Sequence, residues 1–363
     1  MSSPSSASVV FVIANLHGGG GERFVLTMAR AFARLGYQSH IITFKPLADY
    51  STDQQVHYHC LHNPLDKFLP KGTLRYSWAA RVLDNYIRHH IGTPVLIVSN
   101  LYTADRILHY SKLPNIVHVL HNTLSIEYNL TADASGKQTA FLKQLYGNRP
   151  LAAVSRGVME DYLHHINPEA RVKAILNPID RDHIVAQAQT EKSPYMGGYL
   201  INVSRLHAQK DHATLIRAYV ASAQTLPLVL VGKGEEEDNC RRLVQELGIA
   251  DQVIFTGFQA NPYPLIAHAT GFVLSSRYEG MPMVILEALT LGTPFISTDC
   301  PSGPNELLPL HCLVPVGDIA ALSEKMNELM QEPERFKIPF NEDLLPGKVA
   351  LRYLEWVRQC EVT

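Results

Sequence analysis

Val9-Val-Phe-Val-Ile-Ala14 is a continuous apolar run that leads into a glycine turn, Gly18-Gly-Gly-Gly21. An uninterrupted apolar run bounded by turn residues is typical of a strand buried on both faces. Glu22 to Arg34 follows with apolar residues at helical spacing, and Gly36 stands just beyond it, where helices commonly end. The segment therefore predicts a strand, a tight turn and a helix, the opening unit of a parallel α/β sheet.

The alternation of apolar runs and helical segments continues to about residue 178, stops, and then starts again. Runs in the first series are His40–Phe44, Pro94–Val98, Ile116–Leu120, Leu151–Val154 and Val172–Leu176, with helices near 74–90 and 103–110. Runs in the second series are Tyr199–Val203, Leu228–Val231, Val253–Phe255, Gly271–Leu274, Pro294–Ser297 and Cys312–Val314, with helices near 211–223, 236–247, 282–291 and 318–331. This pattern predicts two doubly wound, Rossmann-like domains, 1–178 and 179–346, followed by a last helix within 347–363.

Composition excludes several classes of protein. The 363 residues are 46% hydrophobic and 18% charged, which suits a chain with sizeable cores rather than a disordered one. Lys and Arg number 32 against 34 Asp and Glu, a formal charge of -2 that argues against nucleic-acid binding. Five scattered cysteines and the lack of a long apolar run predict a soluble protein in the reducing cytoplasm.

The glycine turn is a candidate binding site because its backbone N–H groups and the helix dipole suit a phosphate or a sugar. It fails the Gly-x-Gly-x-x-Gly dinucleotide pattern, since the sixth position is Arg23 counted from Gly18 and Phe24 counted from Gly19. The second strand runs into Thr43-Phe-Lys45 rather than an acidic residue, which also speaks against a nicotinamide cofactor. The alternative is that the glycine turn binds nothing and only connects the strand tightly to the helix.

Arg205 and Lys210 follow the first strand of the second series, at the carboxyl edge where open α/β sheets bind ligands. Two cations at such an edge suit a diphosphate, and the alternative is a pair of solvated loop charges. Glu279 and Glu287 flank the predicted helix start at Pro282. Helical rise puts these carboxylates about 10 Å apart on one face, roughly the reach from a hexose to the ribose of a nucleotide sugar. The alternative is a capping acid and a buried, paired helix acid.

Three further groups have weaker patterns. His121 follows the strand Ile116–Leu120, where a lone histidine is either catalytic or structural. His57, His59, Cys60 and His62 resemble metal ligands, but no partner motif accompanies them and no metal is expected. Asp180-Arg-Asp182 has the spacing of metal-dependent sugar transferases but follows the domain boundary, so we discount it.

Taken together, these residues resemble the retaining glycosyltransferases of family 4, which have the GT-B fold. The matching motifs occur in order along nearly the whole chain: Gly19-Gly-Gly-Glu22-Arg23, Ala153-Val-Ser155, Asn177-Pro-Ile-Asp180, Asn202-Val-Ser-Arg205-Leu with Lys210, Leu230-Val-Gly-Lys-Gly234, Phe255-Thr-Gly257-Phe258, Glu279 to Glu287, and Gly292-Thr-Pro294. Ser204 replaces the family's usual glycine. The resemblance implies an acceptor-side domain and a nucleotide-sugar-binding domain facing across a cleft, with the helix in 347–363 crossing back to the first.

The resemblance also implies a role for each matched residue. The donor phosphates would meet the cations Arg205 and Lys210 and the backbone N–H groups of Gly19, Gly20, Val284 and Ile285. The ribose would be held by Glu287, the sugar by Glu279 and Met283, and the base by Phe258 and Gln259. The catalytic residues at the reacting sugar would be His121 and Glu279. The implied reaction moves a hexose or N-acetylhexosamine from a nucleoside-diphosphate sugar to a glycan or lipid-linked acceptor without a metal or other cofactor. The segment Cys300–Glu306 is similar to bacterial surface-polysaccharide enzymes and favours a UDP-sugar. Two alternatives are a GT-B epimerase, which needs no acceptor, and a non-catalytic binding subunit.

One segment suggests where such an enzyme would act. Residues 61–90 carry Lys67, Lys71, Arg75, Arg81 and Arg88 against Asp66 and Asp84, interleaved with Phe68, Leu69, Leu74, Tyr76, Trp78 and Tyr86. These residue types are found at membrane interfaces, so the segment predicts peripheral contact with anionic lipid at the inner face of the cytoplasmic membrane. The alternative is a surface helix with its aromatic residues in the core.

Overall fold

The computed structural model describes residues 7–16, 19–46, 53–61, 72–195 and 197–361. The chain divides into two compact units, one of residues 1–178 and 343–363 and the other of residues 179–342. The sequence predicts that the second domain ends at residue 346, whereas in the structure the second unit ends at residue 342 and the chain from residue 343 belongs to the first unit.

The first unit is built on a fully parallel seven-stranded sheet. Its strands are β1 (Ser8–Ile13), β2 (Gln38–Thr43), β3 (Val56–Cys60), β4 (Leu96–Asn100), β5 (Ile116–Leu120), β6 (Leu151–Ala153) and β7 (Val172–Ala174), in the spatial order β3-β2-β1-β4-β5-β6-β7. Its helices are α1 (Gly20–Arg34), α2 (Thr73–His90), α3 (Leu101–Leu108), α4 (Leu124–Glu127), α5 (Lys137–Tyr146), α6 (Arg156–His165) and, from the end of the chain, α14 (Pro346–Glu361).

The second unit repeats this design on a parallel six-stranded sheet. Its strands are β8 (Leu200–Val203), β9 (Leu228–Val231), β10 (Val253–Gly257), β11 (Gly271–Leu274), β12 (Phe295–Thr298) and β13 (Leu313–Val314), in the order β10-β9-β8-β11-β12-β13. Its helices are α7 (Arg181–Ala188), α8 (His212–Ala221), α9 (Glu237–Glu246), α10 (Tyr263–Ala267), α11 (Met283–Leu291), α12 (Pro304–Leu307) and α13 (Ile319–Gln331). The predicted α/β class with two Rossmann-like domains is confirmed.

The apolar runs form strands because each sheet has helices to cover its faces. In the first sheet Phe11 lies in register with Ile41 of β2 on one side and Val98 of β4 on the other. All six residues of β1 are buried, as the unbroken run predicts. In the second sheet Phe272 and Phe295 stack at 4.5 Å between ring centroids.

The last helix belongs to the first unit, as the family resemblance implies. Tyr353 of α14 is buried against Phe24 of α1, with ring centroids 6.0 Å apart. The Trp356 indole N–H donates to the Leu151 carbonyl at 3.0 Å, and Lys173 Nζ donates to Gln359 Oε1 at 3.3 Å. The helix thus contacts α1 and the last two strands of the sheet, β6 and β7.

Candidate functional site

Lys210 and Glu279 meet at the carboxyl edge of the second sheet. They follow β8 and β11, which are neighbours in a parallel sheet, so both loops leave from the same edge. Lys210 Nζ lies 2.5 Å from Glu279 Oε1, and the Ser276 hydroxyl donates to the same oxygen at 2.6 Å. Glu279 is only 5% exposed. The two residues predicted to bind diphosphate and sugar therefore form one ion pair, in which the carboxylate is buried and the ammonium is partly exposed.

Hydrogen bonds outside this ion pair hold the two loops together. The Ser275 hydroxyl donates to the Lys210 carbonyl at 2.7 Å, and the Gln209 side-chain amide donates to the Tyr278 carbonyl at 2.8 Å. Arg277 bonds twice: its backbone N–H donates to the Gln209 carbonyl at 2.8 Å, and its Nε donates to Asp211 Oδ2 at 3.0 Å. Asp211 has a left-handed φ of 47° and caps α8 by accepting from the Thr214 N–H. The backbone around Lys210 is thus fixed before any ligand binds, which is the preorganisation that electrostatic catalysis requires.

Arg205 has different surroundings from Lys210. Its side chain is 72% exposed, and Nη2 lies 3.2 Å from Glu235 Oε2, while His207 Nε2 lies 3.2 Å from the other oxygen. A hydrogen bond from its own backbone N–H, together with the charges of Arg205 and His207, lowers the pKa of Glu235. Glu235 therefore engages one guanidinium nitrogen of Arg205 and competes with any anion that binds there.

Two glycines explain how the Arg205 loop is seated. A Cβ on Gly232 would lie 2.0 Å from the Ser204 carbonyl oxygen, and one on Gly234 would lie 2.1 Å from that of Leu206. These contacts are too short for any side chain, so only glycine allows the two backbones to approach. The Leu206 N–H then donates to the Lys233 carbonyl at 3.1 Å. The motif Leu230–Gly234 therefore supports the loop that carries Arg205.

Ser204, where the family usually has glycine, takes part in a buried polar cluster. Its hydroxyl donates to Asn202 Oδ1 at 2.7 Å and lies 3.1 Å from His212 Nε2. Burial, reinforced by the Lys210 charge, lowers the pKa of His212 to about 4. The substitution therefore adds a hydrogen bond beneath the site.

The amino end of α11 differs slightly from the prediction. Pro282 precedes the helix with an extended ψ of 109°, so Met283 rather than Pro282 is the first helical residue. The Ile285 N–H donates to the Pro282 carbonyl at 3.1 Å, so this predicted phosphate donor is already engaged. N–H groups in a first helical turn have no acceptor within the helix. Met283 and Val284 occupy that turn.

The residues predicted to hold the nucleoside are on the same unit. Glu287 lies in α11 and is 1% exposed. Phe258 follows the edge strand β10 and is 64% exposed, so its ring is open to stacking. The adjacent Gln259 amide donates to the Thr256 carbonyl at 3.2 Å. Nothing in these contacts tests their roles, which stay predictions.

In the first unit, the predicted residues and one newly found residue lie at or after the carboxyl ends of three neighbouring strands, β1, β4 and β5. Gly19 caps α1 after β1, with Gly20 beginning the helix, and His121 follows β5. Asn100, at the end of β4 between them, places Oδ1 3.2 Å from His121 Nε2. The Phe24 ring packs edge-on against the imidazole at 5.3 Å, and burial lowers the pKa of His121 to about 4. Sequence reasoning missed Asn100, although a strand that ends Ser99-Asn100 was a signal.

The histidine cluster on β3 forms a packed group with β2. His57 stacks on His40 at 4.8 Å, and His59 Nε2 lies 3.0 Å from His40 Nδ1. Within the described parts of the chain, no group of three or more His, Cys, Asp or Glu residues is arranged to hold a metal; His62 lies outside them. Asp180 instead caps α7, accepting from the His183 N–H at 3.3 Å.

Helix α2 presents an apolar and basic outer face. Leu74 is 71% exposed and Trp78 is 42% exposed. Arg81 and Arg88 are exposed farther along the helix, whereas Asp84 is buried and accepts from the Ser111 hydroxyl at 2.6 Å. Lys67, Lys71, Asp66, Phe68 and Leu69 lie outside the described residues. Of the helices that are described, none is long and apolar enough to cross a bilayer.

Two family models match the chain in succession. The model described as Glycosyltransferase Family 4 matches residues 18–183, and the one described as Glycosyl transferases group 1 matches residues 186–339. The chain belongs to glycosyltransferase family 4. This family 4 glycosyltransferase has the GT-B fold, and the resemblance seen in the sequence is confirmed.

Two proteins similar in sequence to this glycosyltransferase are named as sugar transferases. It is 27% identical over 310 residues, 81% of each chain, to the N-acetylgalactosamine-N,N'-diacetylbacillosaminyl-diphospho-undecaprenol 4-alpha-N-acetylgalactosaminyltransferase of Campylobacter jejuni. It is 25% identical over 208 residues to the lipopolysaccharide 1,6-galactosyltransferase of Salmonella typhimurium, a match that covers 55% of this chain and 56% of that one. The structure of Anabaena HepE with UDP-glucose superimposes with a TM-score of 0.73 at 18% identity, covering 98% of this chain and 99% of that one.

Proposed function

We propose that this enzyme transfers a hexose or N-acetylhexosamine from a nucleoside-diphosphate sugar, preferably a UDP-sugar, with retention of configuration. The observation that carries the proposal is the Lys210–Glu279 ion pair, whose carboxylate is buried. An ammonium held 2.5 Å from a carboxylate supplies a fixed cation for phosphate oxygens next to a fixed acceptor for sugar hydroxyls. Both halves of a nucleotide sugar are thus matched in one pair.

The reaction sets what each residue must do. The bond from the anomeric carbon to the phosphate oxygen breaks and its electron pair leaves with the diphosphate. The acceptor oxygen bonds that carbon on the same face, which retains the configuration, and its proton passes to the departing phosphate oxygen. Lys210 and the N–H groups of Met283 and Val284 stabilise the negative charge that develops on the leaving diphosphate. Arg205 joins them after release from Glu235, and Glu279 accepts hydrogen bonds from the sugar.

Residues that hold the nucleoside and residues of the first unit make the remaining contacts with the donor. Glu287 accepts from the ribose hydroxyls, and the exposed Phe258 ring stacks on the base beside Gln259. Gly19 and Gly20 approach phosphate or acceptor through backbone N–H groups, and His121 contacts the donor sugar. Cations and helix N–H groups neutralise a diphosphate without a divalent metal, so turnover is expected in EDTA.

The acceptor is proposed to be a glycan or lipid-linked saccharide in the synthesis of bacterial surface polysaccharide, lipopolysaccharide included. Two relatives support it by name: one acts on an undecaprenol-diphosphate-linked saccharide, the other on lipopolysaccharide. The outer face of α2 supports a peripheral position at the inner face of the cytoplasmic membrane, because Leu74 and Trp78 can enter an interface while Arg81 and Arg88 meet anionic headgroups.

A donor panel tests the function. The full chain is incubated with UDP- and GDP-sugars in EDTA, with and without extracted lipid-linked saccharides, and released nucleotide and products are identified. Acceptor-dependent release of UDP is the expected result. Isomerised sugar without an acceptor would indicate the epimerase alternative, binding of UDP without turnover would indicate a non-catalytic subunit, and activity only after Mn²⁺ or Mg²⁺ addition would overturn metal independence.

A further inference from the structure

Asn100 uses its side chain in an unusual way for its position in the fold. It is the N-cap residue of α3, where an Asn oxygen normally accepts a hydrogen bond from the first helical turn. No such capping bond is formed. Instead Oδ1 lies 3.2 Å from His121 Nε2, twenty-one positions along the chain. The Asn100 side-chain oxygen therefore contacts the histidine instead of capping the helix.

The orientation of the Asn100 amide is fixed by its other end. Asn100 Nδ2 donates to the Val98 carbonyl at 3.1 Å, which leaves Oδ1 toward the imidazole. An amide oxygen only accepts hydrogen bonds, so His121 Nε2 must carry a proton. A neutral imidazole has one N–H, and Nδ1 then keeps its lone pair. Because Asn100 is fully buried, solvent does not compete for this contact.

The turn that carries Asn100 is strained. Leu101 follows it with a φ of 67°, a left-handed conformation that is rare for a leucine and typical of functional sites. The Leu101 side chain packs over Gly21 of α1, where a Cβ would lie 3.1 Å from it. The start of α1 and the turn after β4 are thus packed together.

The surroundings of His121 favour the neutral form. Phe24 of α1 covers the imidazole edge-on, and the carboxylate whose charge acts on it is that of Asp105 on α3. Asp105 is itself saturated by the Ser99 hydroxyl at 2.6 Å, His118 Nδ1 at 2.8 Å and the Tyr146 hydroxyl at 3.0 Å. Burial outweighs this charge in setting the low pKa of His121.

We infer that Asn100 is a positioning residue that holds His121 as the neutral Nε2–H tautomer, so that His121 offers a hydrogen-bond acceptor and not a cation to the reacting substrate. The inference rests on the proposed function only in placing His121 near the sugar. It leaves the stabilisation of the leaving diphosphate to the cations and backbone N–H groups named above, and not to His121.

Nitrogen chemical shifts of the histidines test the tautomer without any assay of activity. The full chain is labelled with ¹⁵N-histidine, and the His121 signals are assigned by their loss in His121→Gln. We expect a protonated Nε2, an unprotonated Nδ1 and no titration between pH 5.5 and 8. In Asn100→Ala the two tautomers should interconvert. A His121 protonated on Nδ1, or one that titrates near pH 6.5, would overturn the inference whether or not the chain transfers sugar.

Kinetics supply the second readout, with a matched control. In Asn100→Ala we expect kcat to fall by about 10- to 100-fold, as for a misplaced catalytic group, with the donor KM within about twofold. Asn100→Asp should still accept from Nε2–H but add a charge that raises the pKa of His121, moving the acid limb of the pH profile upward. Asn115→Gly removes a similar amide bond, to the Pro94 carbonyl at 3.2 Å, at a residue with φ of 61°, and should leave kcat unchanged. Equal losses in all three variants, with an unchanged pH profile, would show a merely structural role.

Discussion

The Lys210 ammonium and the Glu279 carboxylate form a 2.5 Å ion pair between loops that lie 69 positions apart in the chain. The pair joins the end of β8 to the end of β11, and the surrounding hydrogen bonds fix both loops. A ligand that binds there meets a cation and an anion already held at a set distance. The pairing also means that neither residue can be removed without affecting the other.

Lys210→Met should lower both activity and stability. A charge-assisted contact to phosphate contributes about 1.5–3 kcal/mol, so kcat/KM for the donor should fall at least tenfold. The melting temperature should also drop, because the Glu279 carboxylate is left buried without its cation. The double variant Lys210→Met/Glu279→Gln should regain stability but not turnover. Normal kinetics in Lys210→Met would place the diphosphate elsewhere.

Arg205→Ala should weaken nucleotide binding while leaving the melting temperature unchanged, since exposed ion pairs contribute little to stability. Glu235→Gln is the informative partner. It frees Arg205 from its competitor, so UDP affinity, measured by calorimetry, should rise by about two- to fivefold for a gain within the range of a surface pair. If Glu235→Gln and Arg205→Ala weakened UDP equally, Arg205 would not be exchanging one anion for another.

Glu287→Gln and His121→Ala should have opposite kinetic effects. A ribose contact is made equally in the ground and transition states, so Glu287→Gln should raise the donor KM more than it lowers kcat. His121→Ala should lower kcat with little change in KM. Initial rates over a range of donor concentrations separate the two cases. Exchanged profiles would mean that the ends of the donor have been assigned the wrong way round.

Acid should destabilise the fold through its buried histidines. Burial lowers the pKa of His40, His121 and His212 from 6.5 to about 4. The unfolded chain therefore binds more protons between these values, so the free energy of unfolding is greatest above pH 6.5 and falls toward pH 4, by up to about 1.4 kcal/mol per pH unit for each histidine. Urea unfolding from pH 7.5 to 5 measures this.

Tryptophan fluorescence is a suitable probe for that experiment, because Trp78 and Trp356 both lie in the first unit with His40. His40→Gln should make the pH dependence shallower. A free energy of unfolding that did not change over this range would contradict the low pKa values.

The outer face of α2 should bind anionic vesicles in low salt. Each basic residue near such a surface contributes about 1 kcal/mol, so added salt should release the protein. Leu74→Ser/Trp78→Ala and Arg81→Glu/Arg88→Glu should each reduce co-sedimentation while turnover of a soluble acceptor persists. Leu351→Ser is the control, since Leu351 is 54% exposed on a different helix of the same unit. Failure of the wild-type chain to sediment in low salt would leave α2 as ordinary surface.

Sequence patterns predicted the buried strands well. β9 and β11 begin and end where their apolar runs do, because a strand covered on both faces must be apolar throughout. β3 lies at the sheet edge and reads Val-His-Tyr-His-Cys, so it has no apolar run to identify it. α5 was missed as well, although Leu142, Leu145 and Tyr146 are buried at helical spacing along one of its faces.

The position of the site could be predicted, but not its pairings. Parallel strands place Arg205, Lys210 and Glu279 at one sheet edge from sequence alone. Which cation meets which carboxylate depends on tertiary contacts: Lys210 reaches Glu279, while Arg205 reaches Glu235. Glu235 lies in no pattern that indicates such a contact, and the only signal for Asn100 is its place at the end of a strand.

Because α14 packs on α1, the first unit can finish folding only at the end of synthesis. Tyr353 and Trp356 emerge from the ribosome only after the entire second unit, residues 179–342, has been made. At about 5–20 residues per second this is a delay of roughly ten to thirty seconds. During that interval Phe24 of α1 and Leu151 of β6 lack their native partners in α14. A nascent chain of this glycosyltransferase thus holds a finished second unit while its first still exposes apolar surface to chaperones.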